Sequence, residues 1–469
     1  MGRLFGTDGV RGKAGQYPLD IPTIRRLGAA LARALRDGSG DVRFLAGRDT
    51  RESGAWIERE LAAGVTSEGG SLTSAGVIPT PAIAYLTPRM GYTAGVLISA
   101  SHNPFGDNGI KVFSGTGEKF TERLEDQVES IMATLPQEVA GRVASRPDRP
   151  VLAGRSASAD RPGAQGSDRL EVEEIDYRSE YIAHLLAILP PNERHDGQRI
   201  VVDCANGATT TVAPRLFKEL GFDARCIGCA PDGRNINLGC GSTAPELLAR
   251  TVVEGGYELG IAYDGDGDRA IFVDAAGRIV DGDAVMLMCA KQMKAEGRLT
   301  GNAVVATVMS NIGLELALRE AGIEIVRCAV GDKYVMEEML KRGLSLGGEQ
   351  SGHIIFSEYL FTGDGLATSL NVLRTMAATG CNLADLASEL TTYPQVLLNV
   401  RVERKVDLKT IPEIAAAMSS VESKLAGHGR LLVRYSGTEP LLRVMLEGRD
   451  EAEIRRWGEE IVDAVRKHA

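Results

Sequence analysis

Three aspartates alternate with glycines in the segment Asp264-Gly-Asp-Gly-Asp-Arg269, which directly follows an apolar run ending at Tyr263. Glycines let the backbone curl, so the three carboxylates can converge on one hard cation. Without a counter-ion the same carboxylates repel one another, which disfavours a solvated acidic turn. An EF-hand loop is excluded, because Arg269 and Ala275 stand where that loop needs glycine and glutamate. All-oxygen ligands at the end of a strand predict a Mg²⁺ site.

A second reactive cluster ends another apolar strand. The segment Ser99-Ala-Ser-His-Asn-Pro104 brings together two hydroxyls, an imidazole and an Asn-Pro step, and Lys111 follows on the next apolar run. Alternation along a strand points Ser99 and Ser101 to the same side, so strand geometry alone does not choose between the two hydroxyls. The turn that His102 and its neighbours force presents Ser101 at the strand's end. We expect Lys111 to face the same cleft.

Arginines and hydroxyls surround a glycine in the loop Arg434-Tyr-Ser-Gly-Thr-Glu-Pro440, and Arg443 lies just beyond it. Arginine forks match phosphate oxygens in bidentate fashion. The Ser436 and Thr438 hydroxyls and the Gly437 amide can complete a cradle for an anion. A polar hairpin turn with exposed arginines is the alternative. Next to a metal loop, a phosphate site is the preferred interpretation.

The segment Gly347-Gly-Glu-Gln-Ser-Gly-His353 is glycine-rich and lies between apolar stretches. Its flanking glycines allow close approach of the backbone, and Glu349 and Ser351 could both bind vicinal sugar hydroxyls. His353 could orient a phosphate or simply finish a turn. Taken alone, this loop predicts little.

The early segment Phe5-Gly-Thr-Asp-Gly-Val-Arg-Gly12 holds Arg11 in a glycine-flanked turn. A capped turn that ties down the N-terminal segment would explain the glycines but not the arginine. Arg11 is therefore a candidate contact for a phosphate.

Short β-branched strands that lead into glycine turns and amphipathic helices must position these loops. That pattern occurs three times, at Val42–Arg51, Arg199–Gly207 and Asn302–Asn311. Such alternation predicts an α/β fold with three related α/β domains and mixed, largely parallel sheets. A smaller C-terminal α+β domain is expected after Tyr393-Pro394, with a strand at Gln395–Val402, a helix at Ile411–Leu425, a hairpin around Arg434–Arg443 and a helix at Glu451–Lys467.

The expected domains are residues 1–150, 170–270, 271–390 and 394–469. They carry the serine, metal, sugar and phosphate loops in that order. A helix at Glu171–Leu189 is predicted to begin the second domain. The stretch 145–168 is rich in proline, serine and charge with little hydrophobic periodicity, which indicates a mobile linker or a surface loop.

Composition narrows the class of protein. The 469 residues are 43% hydrophobic and 25% charged, as in ordinary globular proteins, and the net charge of -10 argues against nucleic-acid or acidic-membrane partners. No apolar run approaches the roughly 18 residues of a membrane span, and a cytoplasmic protein is expected. Seven cysteines are predicted to be reduced thiols, because Cys226-Ile-Gly-Cys229, even with Cys240 nearby, lacks a fourth ligand at zinc-site spacing.

The chain resembles the α-D-phosphohexomutase superfamily in five motifs that occur in the same order: FGTDGVRG (5–12), SASHNP (99–104), DGDGDR (264–269), GEQSGH (348–353) and RYSGTEP (434–440). The resemblance covers nearly the whole chain. It implies four domains around a central cleft, with the last one mobile. The first and fourth motifs resemble the glucosamine branch of the superfamily. The chain departs from the usual pattern in a longer 145–168 connection and in Ala244, where histidine is frequent.

The resemblance also implies roles for individual residues. Ser101 would be the phosphorylated serine, and its phosphate would bind one Mg²⁺ per chain together with Asp264, Asp266 and Asp268. Lys111, Arg11 and His102 would act around the transferring group, Lys111 as a possible proton shuttle. The residues implied to bind substrate are Arg269, Glu349, Ser351, His353, Arg434, Ser436, Gly437, Thr438 and Arg443.

The activity implied is the interconversion of glucosamine 6-phosphate and glucosamine 1-phosphate through a phosphoserine and glucosamine 1,6-bisphosphate, which would supply cell-wall precursor synthesis. The partner would be a sugar phosphate, with a homodimer suggested by the family. A mutase for glucose or mannose phosphates is the alternative, and a sugar-phosphate phosphatase or a non-catalytic binder is a weaker one.

Overall fold

The structure is a computed structural model, and it describes residues 3–6, 8–38, 40–137, 139, 171–190, 195–402, 404–425, 427–436 and 440–468. The predicted linker at 145–168 lies outside the described residues. Within the described part of the chain, no helix combines the length and the apolar character that crossing a membrane requires.

The first unit is a six-stranded mixed sheet with helices on it, in the strand order β1-β5-β4-β2-β3-β6. Its strands are β1 (Val10–Lys13), β2 (Arg43–Arg48), β3 (Ser71–Val77), β4 (Ala94–Ile98), β5 (Asp107–Ser114) and β6 (Glu173–Glu174), and its helices are α1 (Ile21–Ala34), α2 (Gly54–Ser67), α3 (Thr80–Arg89) and α4 (Glu122–Thr134). β5 runs antiparallel to both β1 and β4, and the other pairs are parallel.

The second unit has a five-stranded sheet in the order β11-β10-β9-β7-β8. It contains α5 (Arg178–Leu186), β7 (Arg199–Asp203), α6 (Ala213–Glu219), β8 (Asp223–Ile227), α7 (Glu246–Gly255), β9 (Leu259–Tyr263), β10 (Ala270–Asp274) and β11 (Ile279–Val280). Every residue of β9 is buried, as expected for a central strand covered on both faces.

The third unit repeats the α/β arrangement around a four-stranded sheet in the order β13-β12-β14-β15. It contains α8 (Gly282–Ala295), β12 (Ala303–Thr307), α9 (Ile312–Glu320), β13 (Glu324–Cys328), α10 (Asp332–Arg342), β14 (Leu346–Gly348), β15 (Ile354–Phe356), α11 (Gly365–Thr379) and α12 (Leu383–Ala387).

The fourth unit is a three-stranded antiparallel sheet, β16-β18-β17, covered by two helices. It contains β16 (Gln395–Arg401), α13 (Pro412–Leu425), β17 (Arg430–Tyr435), β18 (Leu441–Glu447) and α14 (Glu451–His468). A separate hydrophobic core fills it, whereas one continuous core runs through the first three units. The α/β class, the mixed sheets and the smaller C-terminal α+β unit are confirmed.

The helix predicted over Glu171–Leu189 is wrong in its first third. Glu173–Glu174 form the edge strand β6, which pairs with β3 of the first unit. Helix α5 begins only at Arg178, whose amide donates to the Asp176 carboxylate. The expected domain bounds stay predictions, but β10 continues the second sheet past residue 270.

Candidate active site

Ser101 sits where the buried strand β4 gives way to a loop, and its backbone has a φ of 52°. A residue with a side chain in this left-handed region stores roughly 1 to 3 kcal/mol of strain, so its surroundings must hold it there. The amide of Ser101 donates to the Ser99 hydroxyl at 2.8 Å, and that hydroxyl donates to Asp49 at 2.6 Å. Ser99 therefore serves the loop as a local hydrogen-bond partner.

The carbonyl of Ser101 is held from the other side. It accepts hydrogen bonds from Arg51 Nη2 at 3.2 Å and from the side-chain amide of Asn237 at 2.9 Å. The backbone of Gly265 passes so close that a Cβ there would lie 2.6 Å from the carbonyl oxygen of Ser101. The serine loop and the aspartate loop are therefore packed backbone to backbone, which only glycine at 265 permits.

The three aspartates of the second unit follow the end of β9 and converge as the sequence predicts. Asp264, Asp266 and Asp268 are buried, and one oxygen of each lies within 4.8 Å of the others. The Ser101 hydroxyl donates to Asp264, which brings the candidate nucleophile to the edge of the carboxylate cluster. Burial and the charges of Asp268 and Asp266 raise the pKa of Asp264 well above its usual range.

Lys111 comes from β5 and occupies the centre of this cluster. Its ammonium nitrogen lies 2.9 Å from Asp266, 3.0 Å from Asp268 and 3.0 Å from Asp8. Burial opposes its charge, but the three carboxylates outweigh burial and raise the pKa of Lys111 well above its usual range. Lys111 is therefore a protonated lysine in this arrangement.

Further cations and one imidazole lie beside the cluster. Arg11 forms an ion pair with Asp8, and Lys119 lies 2.6 Å from the same carboxylate. His102 Nδ1 lies 3.4 Å from the Ser101 hydroxyl. Burial and the charges of Arg269 and Arg11 lower the pKa of His102, which favours its neutral form.

The sugar loop lies between β14 and β15 and reaches the cluster through His353. His353 Nδ1 is 3.7 Å from Asp268, and Nε2 accepts the amide proton of Gly363 at 3.0 Å. The Glu349 carboxylate accepts the amide of Gly331 at 3.2 Å, and Ser351 is exposed. His353 is thus part of the charged cluster, whereas Glu349 and Ser351 line the loop beside it.

The predicted phosphate loop belongs to the fourth unit. Arg434 on β17 lies opposite Arg443 on β18, so two guanidinium groups start from paired positions of one hairpin. Arg434 Nη2 lies 4.0 Å from Met309 Sδ of the third unit, and Lys405 donates to the Ser436 carbonyl at 2.9 Å. Gly437 and Thr438 lie outside the described residues.

Besides Arg51, sequence reasoning missed further residues of the first unit that contact the site, among them Asp8, Asp49 and Thr80. Asp8 binds three cations, Asp49 holds Ser99, and the Thr80 hydroxyl donates to Asp266 at 2.6 Å. Asp8 was visible inside the FGTDGVRG motif as a carboxylate next to Arg11. Thr80 is 186 positions from its partner, so the sequence offered no signal for it.

The aspartate cluster fits a divalent cation. Asp266 Oδ1 and Asp268 Oδ1 are buried without a hydrogen-bond partner among the described residues. Buried carboxylate oxygens normally find a donor or a cation, and an all-carboxylate set favours Mg²⁺.

Four family descriptions match this chain along its length: the alpha/beta/alpha domains I, II and III of phosphoglucomutase/phosphomannomutase at residues 2–138, 179–277 and 281–393, and the C-terminal domain at 397–464. The chain belongs to the phosphoglucomutase/phosphomannomutase family. Within that family its curated relatives include the phosphoglucosamine mutase of Syntrophotalea carbinolica, 46% identical over 99% of this chain and 98% of the relative. That of Geobacter sp. strain M21 is likewise 46% identical, with the same coverage.

Solved structures share the fold. A phosphoglucomutase/phosphomannomutase family protein from Burkholderia thailandensis superposes with a TM-score of 0.77 at 22% identity, covering 99% of this chain and 97% of that one. The N-acetylphosphoglucosamine mutase of Aspergillus fumigatus, solved with GlcNAc-6P and magnesium, superposes with a TM-score of 0.62 at 18% identity. The match covers 99% of this chain and 95% of that one.

Proposed function

We propose that this protein is a phosphoglucosamine mutase, which interconverts glucosamine 6-phosphate and glucosamine 1-phosphate through phosphorylated Ser101. One observation carries the proposal: Ser101, whose backbone is strained, points its hydroxyl at a buried cluster of three carboxylates and a protonated lysine. A site that only binds sugar phosphates has no need of a nucleophile beside a cluster of carboxylates. The curated relatives support glucosamine as the sugar.

The reaction runs through two phosphoryl transfers. In the first, the Ser101 Oγ–P bond breaks while a bond forms between phosphorus and O1 of glucosamine 6-phosphate. The resulting glucosamine 1,6-bisphosphate then reorients so that its 6-phosphate faces Ser101. The bond between O6 and phosphorus breaks while a bond forms between phosphorus and Ser101 Oγ. Glucosamine 1-phosphate then leaves, and the enzyme is phosphorylated again.

Lys111 suits the role of proton shuttle in this cycle. Its neighbours keep Lys111 protonated, so the proton that Ser101 Oγ needs as the phosphoryl group departs is present in the cluster. The proton that the sugar hydroxyl releases then replaces it. Arg11 pairs with Asp8, the same carboxylate that pairs with Lys111. Arg11 would therefore be close enough to offset charge on the transferring group.

Asp264, Asp266 and Asp268, together with the phosphate on Ser101, would hold one Mg²⁺. A bound Mg²⁺ supplies charge neutralisation in a loose phosphoryl-transfer transition state. These carboxylates lie just beyond the carboxyl end of β9, the position at which α/β folds bind ligands. The packing of Gly265 against the backbone of Ser101 keeps the serine next to the carboxylates.

The remaining loops would hold the rest of the substrate. Glu349 and Ser351 would bind the vicinal sugar hydroxyls, which a turned-over ring presents in a nearly equivalent way. The non-reacting phosphate would bind at Arg434, Ser436, Gly437, Thr438 and Arg443, with His353 and Arg269 near the transferring group. Several donors from different residues suit a pocket that must accept either phosphate of the bisphosphate.

Intact mass spectrometry of the isolated protein tests the phosphoserine. We expect a fraction of the molecules to carry one phosphate that maps to Ser101, and Ser101→Ala to lose both phosphate and mutase activity. Ser130→Ala, which changes an exposed serine of the same unit, should keep both. A phosphate that maps elsewhere, or an active Ser101→Ala enzyme, would disprove the assignment.

Turnover on the 6-phosphates of glucosamine, glucose and mannose tests the substrate. We expect glucosamine 6-phosphate to be preferred at least tenfold in kcat/KM. A preference for glucose or mannose would assign the chain to the other mutase branch. Release of free phosphate without an isomeric product would indicate a phosphatase. The homodimer implied by the resemblance is a separate proposal, which sedimentation of the purified protein tests.

A further inference from the structure

Glu447 joins the fourth unit to the third through a buried carboxylate. It is the last residue of β18, and its side chain is completely buried. Its Oε2 accepts the amide proton of Ile312, the first residue of α9 in the third unit, at 3.1 Å. A carboxylate at this position satisfies a free amide of the first helical turn and interacts favourably with the helix dipole.

The same carboxylate is fixed inside the fourth unit by both neighbouring strands. Arg430 on β17 and Gln395 on β16 both lie directly opposite Glu447 in the sheet. Arg430 Nη2 lies 2.8 Å and Nε 2.9 Å from Oε2, and the Gln395 amide donates to Oε1 at 3.0 Å. The orientation of Glu447 is therefore set by all three strands of its sheet.

The loop that Glu447 meets in the third unit is held from both units. The Ser310 carbonyl accepts hydrogen bonds from Arg430 at 3.1 Å and from Arg327, of its own unit, at 3.0 Å. The Asn311 side chain binds the backbone of Tyr393, in the connection between the units, at 2.9 and 3.0 Å. The joint between the units is thus a polar, directional contact.

We propose that Glu447 is a positioning residue that fixes the fourth unit against α9 and so places Arg434 and Arg443 over the substrate cleft. Arg434 follows Arg430 by four residues on β17, and Arg443 precedes Glu447 by four on β18, a separation of about 13 Å along each strand. A tilt of the sheet about this joint therefore moves both arginines together. The inference rests on the proposed role of these arginines in binding the non-reacting phosphate.

Steady-state kinetics of Glu447→Ala and Glu447→Gln, with glucosamine 6-phosphate as substrate, test this role. We expect Glu447→Ala to raise KM at least tenfold, because the arginines are no longer held at the phosphate. Glu447→Gln, which keeps an acceptor for Ile312 but loses the charge that pairs with Arg430, should raise KM less. The phosphate on Ser101, measured by intact mass, should be unchanged in both variants, because that site lies in the first two units. Glu460→Gln, at an exposed pair with Lys424, should behave as the unchanged protein.

Hydrogen exchange provides a readout that does not depend on activity. The peptide that spans the start of α9 should lose protection in Glu447→Ala, and the phosphate loop should exchange faster with it. If Glu447→Ala does not fold, Glu447→Gln and Arg430→Gln carry the same test. A folded Glu447→Ala with a KM within twofold of the unchanged protein would overturn the proposal.

Arg434→Gln separates this inference from the proposed function. If Arg434→Gln raises KM and Glu447→Ala does not, the positioning role fails and the phosphate site stands. If Arg434→Gln leaves KM unchanged, the phosphate site itself is wrong.

Discussion

Lys119 of the first unit and Asp332 of the third form a part-buried ion pair between the two units. It belongs to a row of alternating charges in which three units take part. The row consists of Asp332, Lys119, Asp8, Lys111 and Asp268, with separations of at most 3.0 Å between neighbours. Asp8 thus has a cation on both sides, which offsets the cost of removing these charges from water.

Lys119→Met should destabilise the protein, because it leaves Asp8 with one base fewer and Asp332 without its lysine. Removal of one partner from a fully buried ion pair costs about 3 to 5 kcal/mol in the free energy of unfolding, and we expect a smaller loss for this part-buried pair. Urea denaturation measures the loss. Lys424→Met, which breaks an exposed pair, should cost under about 1 kcal/mol, and equal losses in the two variants would contradict the structural role of this row of charges.

Ser101→Gly should be more stable than Ser101→Ala by about 1 kcal/mol, since glycine adopts the left-handed conformation of residue 101 without a steric penalty. Neither variant can carry the phosphate, so the comparison isolates the backbone. Thermal denaturation of both proteins measures it. At position 99, whose φ is not positive, the order of the two substitutions should reverse, and a glycine advantage at both positions would argue against strain at Ser101.

The loops that carry chemistry could be found in the sequence because each contains its reactive residues within a few positions. The carboxylates of Asp264, Asp266 and Asp268 predict a cation site by their spacing alone. Thr80 could not be found, because it reaches Asp266 only through the packing of two sheets. Lys111 was expected to face the same cleft, but the sequence did not show which of the aspartates it pairs with. Glu447 looks in the sequence like the polar end of an ordinary strand. The helix expected from Glu171 failed because pairing with β3 outweighed helix propensity at two glutamates.

Thr80→Val should weaken Mg²⁺ binding by about tenfold, because partners of metal ligands typically contribute 10- to 100-fold in affinity. The Thr80 hydroxyl donates to Asp266 Oδ2, and valine keeps its shape without that hydrogen bond. Isothermal titration with Mg²⁺ measures the effect. Thr80→Ser should retain the affinity, and Asp266→Asn should lose more than Thr80→Val; a Thr80→Val protein that binds Mg²⁺ normally would rule out the positioning of Asp266 by Thr80.

Asp283, in the first turn of α8, should make stability depend on pH. Its carboxylate is buried and accepts the Asn311 amide at 2.8 Å, and burial followed by the charge of Asp281 raises the pKa of Asp283 to about 7. Because the folded pKa lies above the unfolded value, the folded state binds this proton more tightly. The resulting stabilisation is fully present below about pH 4 and is lost as the pH rises through 7.

Asp283→Asn should remove this dependence, because the amide is neutral at every pH and its oxygen can still accept the Asn311 proton. Three pKa units correspond to about 4 kcal/mol, so the variant should exceed the unchanged protein in stability by up to that amount at pH 8 and match it near pH 4. Urea denaturation measures the free energy of unfolding of both proteins across this pH range. The difference between the two values removes the contribution of the carboxylates that both proteins share. Asp463→Asn, at an exposed aspartate of α14, should give a flat difference. A flat difference for Asp283→Asn as well would mean that this carboxylate is charged in the folded protein and that another group compensates for its burial.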